Sequence, residues 1–488
     1  MKKYCFLLIT ILLGSCSSEF LDINPKGALY AESFYATADD LDMAVTGMYE
    51  RLSRWTEYSN DLVYCTAGND KTSQFDNWQE VDVFDTEGDN SEMATTWAEL
   101  YVVINAANEL LDRYQSADAT EEKKNVNAAQ AHFFRAFCYF MLVRAYNEIP
   151  FYTSSSQVST DLELSDSKEI YEQIISDLKI AETDLPDNWD SDSERAGVAV
   201  TNGAAKALLA YVYLCEAGYP VKKEGAYALA AAKAKEVMDG ASTWGYRLMD
   251  NIADLYSKDY NYENYACDEV IFATFNEDEY SCPLASFPSE FGGWDVYYAE
   301  ISFFEDYPAG VRKDAVFQWE FPQEDGTTKH YTEMNSKHPY YKQYWDGKLD
   351  WDAMWEGMDW QNSRPQVALT YSNNLLVYAE AKAMSDGVDA SAYKALNDIR
   401  KRAGLSDIAT GLTAEQFRDS VVRERSWEFC GGYYCIDPWY DLVRLERVEE
   451  SINNRNAAEN PIVNTVSKDS YFAPYPENDA LKNPNLSR

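Results

Sequence analysis

Residues 131–150 read Ala131-His132-Phe133-Phe134-Arg135-Ala136-Phe137-Cys138-Tyr139-Phe140-Met141-Leu142-Val143-Arg144-Ala145-Tyr146-Asn147-Glu148-Ile149-Pro150. Within this stretch Ala131, Phe134, Cys138, Met141, Leu142 and Ala145 recur at spacings of three and four, the period of one apolar helix face. Upstream, Trp97, Leu100, Tyr101, Ile104, Asn108 and Leu111 keep the same period, and the 116–121 link is short enough to make the two helices antiparallel neighbours. Leu41, Val45, Met48, Tyr49 and Leu52 predict another helix from Asp39. Downstream, helices are expected at 167–183, 202–216, 226–238, 368–385, 390–403 and 413–429.

Two of these pairs look alike. Leu209-Ala210-Tyr211-Val212-Tyr213-Leu214 leads through Gly218 to Ala226-Tyr227-Ala228, and Leu376-Val377-Tyr378-Ala379-Glu380-Ala381 leads through Gly387 to Ala392-Tyr393-Lys394-Ala395. Small residues let paired backbones approach and aromatics fill the space left by the next pair, the packing logic of tetratricopeptide-type units of about 34 residues. The fold class is therefore all-α, a tetratricopeptide-like helical scaffold, with a helical bundle as the plainer alternative. A loop-rich insertion at about 259–362, rich in Tyr, Trp, Gly, Pro and acids, interrupts it.

Composition narrows the partners. The 488 residues carry 42 basic and 82 acidic side chains, a net charge of −40. Nucleic-acid binding and adsorption to an anionic membrane both depend on basic side chains, so this balance disfavours them. With 46% hydrophobic residues the chain has enough apolar surface to fold. Its 71 aromatics (37 Tyr, 13 Trp and 21 Phe) exceed what a core need absorb.

At the N-terminus Lys2 and Lys3 precede an apolar stretch from Tyr4 to Leu13, then Gly14, Ser15 and Cys16. That stretch falls short of the roughly 20 residues a membrane-spanning helix needs. It reads as a lipoprotein signal (1–15), with Cys16 lipidated and becoming the new N-terminus. Cleavage removes two lysines and no acid, leaving −42. Residues 16–33 read as a lipidated tether and 34–488 as the folded domain. Seven further cysteines remain at irregular spacing, which is no disulfide framework, although Cys430 and Cys435 are close enough in sequence to pair.

The 131–150 stretch resembles the helix and exit turn that mark the SusD-like (RagB/SusD) family of Bacteroidetes outer-membrane lipoproteins. Other matching pieces are Leu375 to Ala381, Ala395-Leu396-Asn397-Asp398-Ile399-Arg400, Glu424-Arg425, Asp441-Leu442-Val443-Arg444 and Tyr471-Phe472-Ala473-Pro474-Tyr475-Pro476. Gly431-Gly432-Tyr433 stands where members usually carry Glu-Gly-Arg, and Tyr371-Ser372-Asn373-Asn374 departs from the usual Arg or acid. The resemblance implies four helix pairs and a lipid-anchored position on the outer membrane facing the cell exterior. It also implies a SusC-like TonB-dependent transporter that the chain caps, and an oligosaccharide or, in some branches, a peptide as ligand. Glu19 and Asp22, behind Cys16, look like the surface-export signal of such lipoproteins.

Sugars offer C–H patches on their faces and hydroxyls at their rims, so a binder needs flat aromatics together with amide or carboxylate groups. Two segments outside the expected helices supply both, 69–79 and 287–298. Trp78 and Trp294 are the expected stacking platforms, Tyr297 a third, and Asn77, Gln79 and Asp295 the hydroxyl partners; in the family the glycan site lies on comparable loops. Tyr340, Tyr341, Tyr344, Trp345, Trp351, Trp355 and Trp360 form another dense set, whose spacing also fits packing of the insertion.

Catalysis finds little support. His132, His330 and His338 are the three histidines, none in a zinc-protease motif, and His132 reads as a scaffold residue. No nucleophile elbow, phosphate loop or dinucleotide fingerprint occurs. The reading is a binding protein without catalytic residues, cofactor or metal. Asp190, Asp192 and Glu194 alternate as in a calcium loop but lack its glycine. Peptide binding and, further off, glycoside hydrolysis are the alternatives.

Overall fold

In the computed structural model the described residues are 34–58, 68, 70–74, 79–191, 193, 195–256, 267–274, 286–343, 345, 365–431 and 435–486. The long helices among them are α1 (Ala38–Tyr58), α2 (Ser91–Arg113), α3 (Glu121–Tyr146), α4 (Ser167–Asp184) and α5 (Asn202–Glu216), followed by α6 (Ala226–Trp244), α7 (Tyr371–Asp386), α8 (Ala390–Arg402) and α9 (Ala414–Glu428). Each packs on the next from α1 to α8, and α9 packs on α7, giving the successive, tetratricopeptide-like array that the periodicity predicts. The 16–33 tether and Cys16 lie outside the described residues.

Side-chain caps set where these helices begin. Thr120, Asp166, Thr201, Thr370, Asp389 and Thr413 each accept a first-turn backbone N–H, a stabilisation of about 1 kcal/mol apiece. From Ala128 to Tyr146 every side chain of α3 except His132 is buried, so it is the axis about which the others pack. Its Phe133 and Phe137 meet Phe272 edge-on, at 5.3 and 5.6 Å between ring centres. In the two look-alike pairs α5 packs on α6 and α7 on α8; Asn374 Nδ2 joins the pairs by donating to Ala234 O at 3.1 Å.

Two boundaries are corrected: the helix expected over 226–238 runs on to Trp244, where Gly245 at φ +78° caps it. The helix expected from Ala368 begins at Tyr371, because Gln366–Thr370 is a strand paired antiparallel with Val270–Thr274. Val367 and Thr370 are β-branched, and Thr370 then turns into the cap of α7.

The insertion is built of short strands and helices. Thr72–Gln74 (β1) pairs with Tyr297–Ala299 (β2), Phe317–Gln318 with Tyr340–Tyr341, and Glu320–Pro322 with Thr328–His330. Buried ion pairs tie it to the scaffold. Arg312 donates to Glu424 at 2.7 Å and to Glu428 at 2.6 Å on α9, and Arg402 of α8 joins Glu428 to Glu269. Arg144 lies between the rings of Phe140 and Tyr440, 3.9 Å from each, and donates to Cys435 O at 2.7 Å. Cys430 and Cys435 are both buried free thiols, so the local pairing open in the sequence is not made.

Candidate functional site

The two segments singled out for ligand contact meet at one end of the β1–β2 pair. Gln74 stands opposite Tyr297, so the chain leaves β1 toward Gln79 at the same end where it enters β2 from Asp295. Gln79 is half-buried and opens the short helix Gln79–Asp82. Asn77 and Trp78 lie outside the described residues.

The turn before β2 is tightly specified. Gly292 has φ +90°, and Gly293 backs so closely onto Phe287 that a Cβ there would stand 2.0 Å from Phe287 O. Gly293 N donates to Pro288 O at 3.0 Å and Asp295 N to Phe287 O at 3.2 Å. Trp294, 47% exposed, projects from this turn, and Asp295 Oδ1 accepts a hydrogen bond from the buried Tyr340 hydroxyl. An aromatic face thus stands beside a carboxylate whose position is fixed from below.

Tyr297 corrects the expectation of a third platform. It is only 2% exposed, since its place in β2 turns it into the insertion's core. Tyr340 and Tyr341 are likewise fully buried, and Trp345 packs on Phe287 at 4.7 Å, which bears out the packing reading for those three. Tyr344, Trp351, Trp355 and Trp360 lie outside the described residues.

A carboxylate from far along the chain holds β1 and β2 in place. Glu459 accepts from Ser73 Oγ at 2.5 Å and from Ile301 N at 2.9 Å, and its Oε2 is 3.0 Å from His338 Nε2. His338 also faces Ser336 O through Nδ1 at 2.6 Å and stacks on Tyr298 at 4.3 Å. Burial opposes ionisation of Glu459, but these donors hold its carboxyl below the ordinary range. Nearby, burial pushes Glu300 up to about 7, although it accepts backbone N–H groups from Asn456 at 2.9 Å and Phe303 at 2.6 Å.

Beyond the Lys71–Glu300 end of the same strand pair opens a cleft of about 670 Å³, between α9, the short helix Ile301–Asp306 and residues 447–455. None of Gln79, Trp294 and Asp295 lines it, whereas Phe303, Arg423 and Trp427 do. The sequence carried a signal for it: Asp419, Arg423 and Trp427 fall four apart on α9, an aromatic on an otherwise charged face.

His132 is a scaffold residue, its Nδ1 2.7 Å from Asp177, which also takes two hydrogen bonds from Arg135. Among the described residues no cluster of three or more His, Cys, Asp or Glu side chains could hold a metal; Asp192 and Glu194 lie outside them. No described helix is long and apolar enough to cross a membrane.

A family model described as SusD-like, starch-binding associating with outer membrane, matches residues 19–214. SusD-like protein P2 of Formosa agariphila is 26% identical over all of this chain and 99% of its own length. A SusD homolog from Bacteroides thetaiotaomicron superposes with a TM-score of 0.77 at 20% identity, covering 94% of this chain and 97% of the homolog. A structure determined with xylogluco-oligosaccharide gives a TM-score of 0.73 at 21% identity, covering 92% of this chain and 98% of its own. The likeness to these solved structures is one of fold.

Proposed function

We propose that the chain, similar to SusD-like proteins along its length, is a SusD-like cell-surface lipoprotein that binds oligosaccharide or polysaccharide and caps a SusC-like TonB-dependent transporter, assisting import. In this reading residues 1–15 are the signal, Cys16 carries the lipid, 16–33 are the tether, and the domain from residue 34 faces the cell exterior. The observation that carries it is Trp294, half-exposed beside Asp295 on a turn whose Gly293 packs closely on Phe287, at the strand end that leads to Gln79. Trp294 and Trp78 stack on sugar faces, and Asn77, Gln79 and Asp295 take hydroxyls. Binding without turnover is the chemistry these groups support. Calorimetry of the purified mature chain against glycans and peptides, with chromatography of the products, tests it. Glycan affinity with no bond cleavage is the expected result; affinity for peptides alone, or release of shorter sugars, overturns it.

A further inference from the structure

We propose that the cleft between α9 and the helix Ile301–Asp306 is a second saccharide site, which takes a neutral segment of the same glycan chain. The inference rests on the glycan reading above and adds a place and a chemistry to it.

Its floor is prepared for a flat ligand. Phe303 and Trp427, both half-buried, line the cleft, and the ring of Tyr307 backs them both. Tyr307 is 3% exposed; it meets Phe303 edge-on at 5.8 Å and Trp427 at 6.2 Å, and its hydroxyl donates to Trp427 O at 2.6 Å. Rings fixed in this way lose little freedom when a sugar face covers them.

Polar groups surround that floor with near-balanced charge. Lys71 is paired with Asp70, Arg447 with Asp419 at 2.7 Å, and Arg455 with Asp82 at 2.8 Å. Arg423, Asp306 and Glu450 are exposed and, among the described residues, make no side-chain hydrogen bond or ion pair. One guanidinium donor and two carboxylate acceptors above an aromatic floor suit vicinal hydroxyls, which donate and accept at once. An acidic sugar would meet the two carboxylates, so a neutral segment is favoured.

The cleft continues the first site. Glu300 N donates to Lys71 O at 2.9 Å at the cleft end of the β1–β2 pair, while Asp295 lies at the other end. The three-residue strand Tyr297–Ala299 spans on the order of 10 Å, so the two places lie within reach of one chain. One polysaccharide chain can therefore engage both places and gain avidity, whereas a short oligosaccharide occupies them separately.

The test is calorimetry of the mature chain with soluble starch, xyloglucan and laminarin, with maltohexaose, cellohexaose and laminarihexaose, and with trialanine. The proteins are wild type, Trp294→Ala, Trp427→Ala and Arg423→Ala. The expected result is two oligosaccharide sites in wild type and one in Trp294→Ala and in Trp427→Ala, with polysaccharide affinity about tenfold weaker in Arg423→Ala. Because Trp427→Ala also removes packing on Tyr307, the exposed Arg423 variant decides the matter if Trp427→Ala does not fold. Should wild type bind a glycan at one site only, with Arg423→Ala unchanged, the cleft is overturned and the glycan reading stands. Should wild type bind none of the glycans, or trialanine alone, the glycan reading fails and the cleft with it.

Discussion

Arg444 grips Glu380 with two parallel hydrogen bonds, Nη1 to Oε1 at 2.6 Å and Nη2 to Oε2 at 2.7 Å, both side chains buried. Arg425 and Asp441 complete the cluster, with Arg425 Nη1 at 3.1 Å from Glu380 and 2.8 Å from Asp441. Removing one partner leaves an uncompensated charge in the core. Glu380→Ala is therefore expected to cost about 3–5 kcal/mol of stability, read by denaturant unfolding.

Trp294 is exposed enough that its loss leaves the fold intact. Trp294→Ala is expected to weaken glycan binding by about 2 kcal/mol, roughly 30-fold, with thermal stability nearly unchanged. Calorimetry alongside a thermal melt checks both halves.

Gly293 tests whether the turn matters apart from its tryptophan. A methyl group there collides with the backbone oxygen of Phe287, so Gly293→Ala must shift the loop that presents Trp294 and Asp295. Glycan affinity is expected to fall although every contacting side chain is retained, and circular dichroism is expected to show the helical scaffold unchanged.

Asp437 sets a pH dependence. Burial pushes its carboxyl up to about 7, against the favourable hydrogen bond from Trp439 N at 2.7 Å. The folded chain keeps this proton to higher pH than the unfolded chain, whose aspartate titrates near 4. The group's contribution is thus most favourable below about pH 4 and is lost as pH rises through about 7. Asp437→Asn is expected to flatten that decline, gaining roughly 1–3 kcal/mol at about pH 8 relative to pH 4. Unfolding curves of both proteins across that range measure it.

Cys16→Ala is expected to abolish lipid attachment and release the chain from the membrane fraction. Labelling cells with a palmitate analogue and fractionating the membranes reads the outcome.

The scaffold was legible because it depends on period. The face repeated along α3 marks a helix whatever surrounds it, and the stop of α5 at Glu216 needs only local sequence. The start of α7 was not legible, since Ala368 and Leu369 are apolar in either period, and a partner strand about a hundred residues earlier decides their conformation. At the candidate site, Trp294 and Tyr297 look equivalent in sequence. A glycine turn exposes one and a strand buries the other. Trp427 sits in a scaffold helix, where an aromatic reads as packing. The cleft it lines is completed by the Ile301–Asp306 helix and the 447–455 segment, which no local pattern brings together.

The hydrogen bond from Ser73 to Glu459 joins positions 386 residues apart. A growing chain meets the first partner early and the second only near the end of its synthesis, and closing so long a loop comes late in folding. The helices can pack as they emerge, but the strand pair that carries the candidate site cannot take its final form before then. A truncated or half-made chain would keep most of its helices without a finished β1–β2 pair, so the face that carries Trp294 reports on completion of the whole polypeptide.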